Sequence, residues 1–570
     1  MSSLAEPGPI GIGPIAIGEN PGVPSLLYAA AAAAEGQIYL LEMYPAPLGT
    51  SSGLGPGGEP IGVNAIGVPP LGSTTSVDEV MLRYSDAGYV SPPGGAFGSM
   101  YWEGRVSQAL RLTRTLPVTP EEGRQVLVEV AGMDIAAGDG GLDGIIQNYS
   151  IDGRRVCVKF GMRGYAYEEF KPIFTGRAAA SWRSSFDMVS VTCRDESYRL
   201  NVTLQQGFYD GTGGIGGTTE LSGKPRPLTF GICRNVSPVL IDPTNLIYQF
   251  HARTASDVDA VYDRRAALID DGDVANYAAL TAAVISTGHF KTCLALGLFR
   301  LGSTPSGVVT ADVKGDAEGG YINTTGAIIA RLIDGFVGLG PSEYDGAAFA
   351  ALDVATPGFV GWYQSAEIVS AADVVSQLAH GIGAWWGGTT SGVITAGRLE
   401  PPDGSNIAIY LESWDIDGVA LVDAPPGTSP PRFRQRVAYA RNWTVQRGED
   451  LAGTVSAADR QLVAEPYSIA GTVSAAAQAD FLLAQDPPVL ESFFDSEADA
   501  QAEADRLIDL LAQQRMTVRV MIGYRGHLTQ IGAMASIQHP RINGGARWSG
   551  RVIQQTPDAD RRRATFTLWG

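Results

Sequence analysis

Basic residues are missing from the first part of the chain: no Lys or Arg occurs before Arg83. Lysines are few and all lie between Lys159 and Lys314, so arginine supplies most of the positive charge. The net charge is −19, which repels nucleic acid at long range and argues against a general nucleic-acid binder. Only five histidines (His251, His289, His380, His527, His539) and four cysteines (Cys157, Cys193, Cys233, Cys293) are present. No C-x-x-C pair and no H-E-x-x-H or Walker lysine motif occurs, so zinc ribbons, ferredoxin-type clusters, zinc proteases and P-loop enzymes lack support. No run reaches the ~20 apolar residues of a membrane span. The alanine-rich stretch from Leu26 to Leu41 has no basic residues before it and is interrupted by Glu35 and Gly36, unlike a signal peptide. These absences predict a chain made in the cytoplasm that is not an enzyme, with no catalytic residues, no cofactor and no metal.

What is present is a large globular composition. Hydrophobic residues make up 45% and charged residues 18% of 570, and single cores stop growing near ~250–300 residues, so several domains are expected. Residues 1–75 are rich in Gly, Pro, Ile and Ala, and PIGIGPIAIGENP is echoed by PIGVNAIGVPP at Pro60 to Pro70. Ile or Val alternating with Gly suits short extended pieces. Residues 1–75 therefore read as an arm that becomes ordered against a partner, by strand addition for example. On that reading, loss of residues 1–70 leaves a folded chain that assembles poorly.

Residues 76–245 read as short strands such as RRVCVKFGM and DMVSVTCRD, separated by turn signals, the spacing of a barrel or sandwich. Residues 246–320 continue as a β-rich connecting domain. Residues 321–400 switch to a small α/β module, with a helix after Thr324 carrying Ile328, Ile329, Leu332 and Ile333, and another capped by Ser370. Residues 401–570 return to β around one strong helix that begins at Ser496, with Leu507, Ile508 and Leu511 on one side. The last residues read as a strand. The fold class is thus mainly β with an α/β insertion.

Several groupings could carry chemistry. GTGGIGG from Gly211 to Gly217 contains G-x-G-x-x-G, but GGTTELSGKPRP follows with no helical period, so a glycine-rich turn is expected. Asp134, Asp139 and Asp143 stand in a glycine-rich loop that could hold calcium or simply make turns. Trp182, Trp362, Trp385 and Trp386 could line a sugar groove or fill a core. Arg561, Arg562 and Arg563, with Arg541, Arg547 and Arg551, form a basic patch or a solvated strand edge. Distant cysteines could still meet in space around a metal.

Four blocks in one order carry a resemblance: DGGLDGIIQNYSIDGRRVCVKFG (Asp139 to Gly161), LSGKPRPLTFGICRNVSPVLIDPTNLIYQFH (Leu221 to His251), RVAYARNWTVQRGEDLAG (Arg436 to Gly453) and a terminal T-x-x-L-W (Thr565 to Trp569). NTTGAIIARLIDG adds a middle-module helix. Over residues 76–570 the chain resembles baseplate-hub or tail-tip proteins of long-tailed (siphovirus-type) bacteriophages and gene transfer agents. The resemblance implies two tail-tube-like β-barrel domains, at 76–245 and 401–570, flanking the smaller α/β module. It implies a structural virion protein at the tail tip: a homotrimer whose six barrels close the sixfold tube and form the DNA channel wall. Its partners would be the distal tail ring protein, the tape-measure protein and a central fibre or receptor-binding tail protein, with genomic DNA passing unbound through the lumen. The alternatives are a distal-tail ring protein with a carbohydrate-binding module, or a tail-associated glycan-binding or glycan-hydrolysing protein.

Overall fold

A computed structural model describes residues 37–47, 79–95, 97–122, 124–365, 367–402, 404–558 and 563–570. Among them the chain is mostly β, in several sheets joined by short helices. The first strand, β1 (Gln37–Met43), is buried along its whole length. Its alternate residues serve two cores, as a period of two requires. Tyr39, Leu41 and Met43 pack inward with Val158 and Phe160, while Ile38 and Leu40 pack with Tyr89, Trp102 and Phe170 on the other face.

The sequence reading makes residues 1–75 an arm ordered against a partner; of these, β1 pairs within this chain, and residues 1–36 and 48–75 lie outside the described residues. β1 lies between β2 (Leu82–Ser85) and a later strand, Arg155–Met162, with which seven of its residues pair from Gln37↔Met162 to Met43↔Val156. The G-I alternation earlier in the chain and the Pro60 to Pro70 repeat lie outside the described residues. The sequence signal is the four-residue apolar run IYLL within QIYLLEM, which is consistent with a strand buried on both faces but does not by itself distinguish one from a buried helix segment.

Around β1 the pairing follows a circuit. β2 pairs in parallel with β3 (Tyr101–Gly104), which bends at Arg105 into β4 (Val106–Gln108) of a second sheet. A hairpin of β5 (Arg111–Thr115) and β6 (Leu127–Ala131) follows, and β6 bends at Gly132 into β7 (Met133–Ala136), the partner of β4. Then come β8 (Arg155–Met162), β9 (Lys171–Ala178), β10 (Met188–Val191) and β11 (Cys193–Asp195). β10 pairs with β7 and bends at Thr192 into β11, which pairs with β9. β9 pairs with β8, and β8 with β1. No single sheet closes on itself among the described residues, but strands that switch sheets at corners return the path to its start. Met133, Ile135, Val156, Val189 and Val191 fill the inside, so this unit is a packed core and not a pore.

The middle of the chain centres on β12 (Leu228–Val236), flanked by β13 (Val309–Asp316) and β14 (Gly361–Gln364). Gly231 sits at φ +64°, where a Cβ would lie 1.9 Å from the Val360 carbonyl oxygen, so only glycine fits. Helices α1 (Thr325–Leu332), α2 (Gly346–Ala355) and α3 (Ala371–Gly381) pack here, followed by the hairpin of β15 (Ala384–Gly388) and β16 (Ile394–Arg398). Ser370 caps α3 as expected, accepting from the Asp373 amide at 3.1 Å. Thr324 does not cap α1; its hydroxyl donates to Asp353, whose carboxylate takes the Gly326 and Ala327 amides at 2.6 and 2.9 Å. A carboxylate also suits the positive helix end better than a hydroxyl.

The last unit begins with β17 (Ile407–Glu412) and β18 (Ile416–Leu421). A hairpin, β19 (Arg434–Tyr439) with β20 (Ser468–Val473), packs on α4 (Glu497–Leu511), which Ser496 caps at 3.2 Å. β21 (Thr517–Ile522), β22 (Met534–Gln538), β23 (Trp548–Asp558) and β24 (Arg563–Trp569) complete it. The row of pairings is β17-β22-β23-β24-β21-β18. Its two edge strands are consecutive in the chain, joined only by Ser413, Trp414 and Asp415, with the Asp415 amide bonded to the Glu412 carbonyl at 2.9 Å. Chain connectivity therefore curls the row until its edges meet at one end. Val518, Val520, Ile537, Phe566 and Leu568 fill the curl.

The two β units are welded. β5 leaves the first unit and pairs with β23 through Thr115↔Gln554, Arg114↔Gln555 and Arg111↔Asp558. Tyr39 Oη and His527 Nε2, 488 residues apart, approach to 3.1 Å beside the Phe160 ring.

Two outcomes are expected from β1. Leu41→Ala lowers stability by about 2–5 kcal/mol, the usual cost of emptying a packed core, read as a shift in the urea midpoint. A chain lacking residues 1–45 loses a central strand, so limited proteolysis should cut rapidly within residues 79–195 while full-length protein resists.

Candidate functional site

The residues singled out in sequence do not converge on one site. His251 is buried, accepting from the Thr229 amide at 3.0 Å and facing Asp316 at 3.5 Å. His289 pairs with Asp271 at 2.8 Å, and His539 accepts from the Arg541 amide at 3.2 Å. His380 stands on α3, and His527 lies at the weld against Tyr39. Burial pushes both down to about 4, so both are neutral at pH 7.

The four thiols are free and buried, in β8, β11, β12 and the strand His289–Cys293. Burial pushes Cys193 up to about 12 and raises the others, the state of inert packing cysteines. Among the described residues no three metal-ligating side chains gather.

The other groupings resolve into structural contacts. GTGGIGG forms a single 3-10 turn at Gly214–Gly216, with no helix for a pyrophosphate to sit on. Arg105 grips Asp139 with two bonds of 2.8 and 2.6 Å, holding that carboxyl well below its usual range. Asp134 accepts from Ser190 at 2.5 Å, so two of the three loop carboxylates are engaged. Trp362 and Trp386 are buried, and Trp182 donates to the Tyr149 carbonyl at 2.9 Å. Of the basic residues, Arg547 pairs with Glu412, Arg563 with Asp417 at 3.2 Å, and Arg551 donates to the Gly532 carbonyl. Arg561 and Arg562 lie outside the described residues.

What the tertiary structure does assemble is a set of buried charged junctions between distant segments. Arg432 is buried and meets Glu121 at 2.6 Å across 311 residues, with a second bond to Gln435 at 3.1 Å. Glu503 on α4 is buried between Arg398 and Arg506, the latter at 2.6 and 2.9 Å. Burial alone would raise the Glu503 pKa, but Arg506 and Arg398 outweigh it and hold the carboxyl low. Two blocks of the sequence resemblance also meet: the Asn235 amide donates to Asn442 Oδ1 at 2.9 Å, the Thr444 carbonyl at 2.6 Å and Gln446 Oε1 at 3.2 Å. Next to it Arg234 forks onto Asp495 at 2.5 and 2.7 Å. Arg506 with Glu503 is a helical i,i+3 pair and Arg432 with Gln435 is also local, but the others join residues distant in sequence and carry no local signal.

α3 faces a cavity of about 610 Å³ that it shares with Arg124, Arg441 and the segment Val489 to Phe493. A second, of about 540 Å³, lies at the weld among β5, the residues after β18, and β23. The first is lined by Ser376, whose Oγ accepts from Trp386 Nε1 at 3.0 Å, and His380; the second is lined by Asp423 and by Glu122, whose carboxylate accepts from the Val118 and Thr119 amides at 2.8 and 3.2 Å.

No family model and no curated protein sequence matches the chain. Similar solved structures include the 43 kDa tail protein of prophage MuSo2 from Shewanella oneidensis, 10% identical, covering 83% of this chain and 96% of that one, with a TM-score of 0.37. A chain of the virion of a native gene transfer agent particle is 14% identical over 61% of this chain and 84% of that one, TM-score 0.39. A tail protein from Neisseria meningitidis MC58 is 10% identical over 82% and 95%, TM-score 0.33. At these TM-scores the likeness does not establish a common fold.

Two outcomes test the buried charges. Glu503→Gln leaves two buried arginines short of a counter-charge and is expected to cost about 3–5 kcal/mol, read by thermal or urea unfolding. His527 takes its proton at about 4 when folded against about 6.5 when unfolded. Unfolded chains therefore bind the extra proton as pH falls through that window, and stability drops by roughly 1 kcal/mol per pH unit. His527→Gln should flatten that part of the acid-unfolding curve.

Proposed function

We propose that this chain is a structural protein of a bacteriophage tail tip, a baseplate hub, in which the two curled β units act as neighbouring segments of one channel wall. The observation that carries the reading is the weld. One polypeptide holds two strand-built units with filled interiors, fixed edge to edge by the pairing of β5 with β23. A wall of such units needs them locked side by side, and a shared sheet does that more rigidly than a linker. Three chains would present six units, enough to meet a sixfold tube with a threefold ring.

Three further features support it. The four resembling blocks run in the expected order, and two of them form the Asn235 junction in the folded chain. The net charge of −19 suits a conduit through which DNA slides without sticking. Asp139 is held in an ion pair with Arg105, and the indoles of Trp362 and Trp386 are hydrogen-bonded within the chain, as suits structural use of these groups. In this reading the chain assembles as a homotrimer in the virion, between the distal tail ring and the fibre or receptor-binding proteins, with the tape-measure protein above.

Copy number tests it. Three copies per tail, by quantitative mass spectrometry of purified particles, together with a trimer mass for the isolated chain in its assembled form, is the expected result. Six copies per tail would transfer the chain to a sixfold ring and reject the hub.

A further inference from the structure

The cavity beside α3 is lined by donors with too few acceptors. Arg124 is only 3% exposed, and its Nε and Nη2 have no hydrogen-bond partner. Its carboxylate neighbours are already engaged: Glu121 by Arg432, and Glu503 by Arg398 and Arg506. An unpaired guanidinium at this depth is costly unless something else supplies an acceptor.

Helix α3 adds neutral donors. Ser376, Gln377 and His380 fall at i, i+1 and i+4, on one side of the helix. Two buried indoles set their polarity. Trp386 Nε1 donates to Ser376 Oγ at 3.0 Å, and Trp362 Nε1 donates to Gln377 Oε1 at 3.1 Å. Each acceptor is thereby used from the core side, which leaves the Ser376 hydroxyl hydrogen and the Gln377 amide hydrogens to donate. His380, neutral at pH 7, offers one N–H donor and one uncharged acceptor nitrogen, so it adds no negative charge to balance Arg124.

The remaining walls fix the shape of the occupant. Glu491 is the one acid lining the cavity, and Arg441 neutralises it at 3.1 Å. Val489 and Phe493 supply an apolar side. The field inside is thus that of one uncompensated buried arginine, ringed by oriented donors, next to an apolar strip.

We propose that this cavity binds a carboxylate carried on a short apolar stem, with Arg124 as its counter-charge and Ser376 and Gln377 as hydrogen-bond donors. A free carboxylic acid and the glutamate side chain of a neighbouring protein share that chemistry. The inference does not depend on the hub reading, since it rests on the charge balance of the cavity alone.

Binding is read as a saturable rise in unfolding temperature of the full chain, checked by calorimetric titration. The probes are N-acetylglutamate α-amide, its uncharged glutamine counterpart, inorganic phosphate, and a capped pentapeptide with a central glutamate. The expected result is saturable binding of the glutamate amide and none of the glutamine compound. Arg124→Gln should weaken binding about 10-fold or more, the usual loss for a charged hydrogen bond. If Arg124→Gln does not fold, Gln377→Glu serves: it sets a carboxylate against Arg124 from within the chain and should abolish binding while the far-ultraviolet dichroism is kept. Binding of the pentapeptide as tightly as the amide identifies a protein side chain as the source; binding of the amide alone identifies a free acid. Equal response to glutamate and glutamine compounds, equal or tighter binding of phosphate, or unchanged affinity in both variants would overturn the assignment.

Discussion

The pairing of β5 with β23 holds this molecule in one piece, and much of the rest follows from it. A hairpin that begins in the first β unit supplies a strand to the last one, so more than 400 positions of chain are closed into one loop by backbone hydrogen bonds. The hairpin carries Arg114 into the weld, where its guanidinium is buried without a hydrogen-bond partner and burial lowers it to about 10. It still keeps its charge at pH 7. The loop between β5 and β6 brings Glu121 to Arg432 and Arg124 to the cavity beside α3. One strand pairing thus sets both the relative placement of the two curled units and the charge balance between them.

Each unit solves the edge problem of a β-sheet differently. In the first, strands bend at Arg105, Gly132 and Thr192 from one sheet into the next, so the hydrogen-bonding path has corners and returns to its start. In the last, the first two strands are the two edges of one row, and a three-residue turn draws those edges together at one end. Both arrangements enclose branched and aromatic side chains at alternate positions, and both keep long exposed edges scarce. In the ring proposed above, such self-contained units would let contacts between copies be made by surfaces and not by stray strand edges.

The buried ion pairs serve position more than stability. Glu503, Arg398 and Arg506 tie α4 to the α/β module, and the Asn235 amide ties β12 to the strand-turn segment after β19. Replacing such groups by apolar ones often costs little, whereas removing one partner is expensive, so they chiefly exclude wrong docking of one segment on another. In a chain proposed to form part of a ring, small errors in that docking would be repeated in every copy.

Local pattern was enough for a core set of elements: the strands at 155–162, 188–191, 517–522, 548–558 and 563–569, and the helices begun by Ser370 and Ser496, follow from alternation, capping and periodicity. The same pattern could indicate a mainly β chain with an α/β insertion and exclude the common catalytic motifs. It could not show that QIYLLEM is a central strand and not part of an arm, because burial on both faces depends on partners at 82–85 and 155–162. It could not show that Asp353, rather than Thr324, caps α1, nor that Arg124 would be left without a partner beside two indole-oriented donors. Those outcomes were decided by tertiary structure alone, since hydrogen bonds and desolvation are settled by which groups meet in space, and here the meeting groups lie tens to hundreds of residues apart.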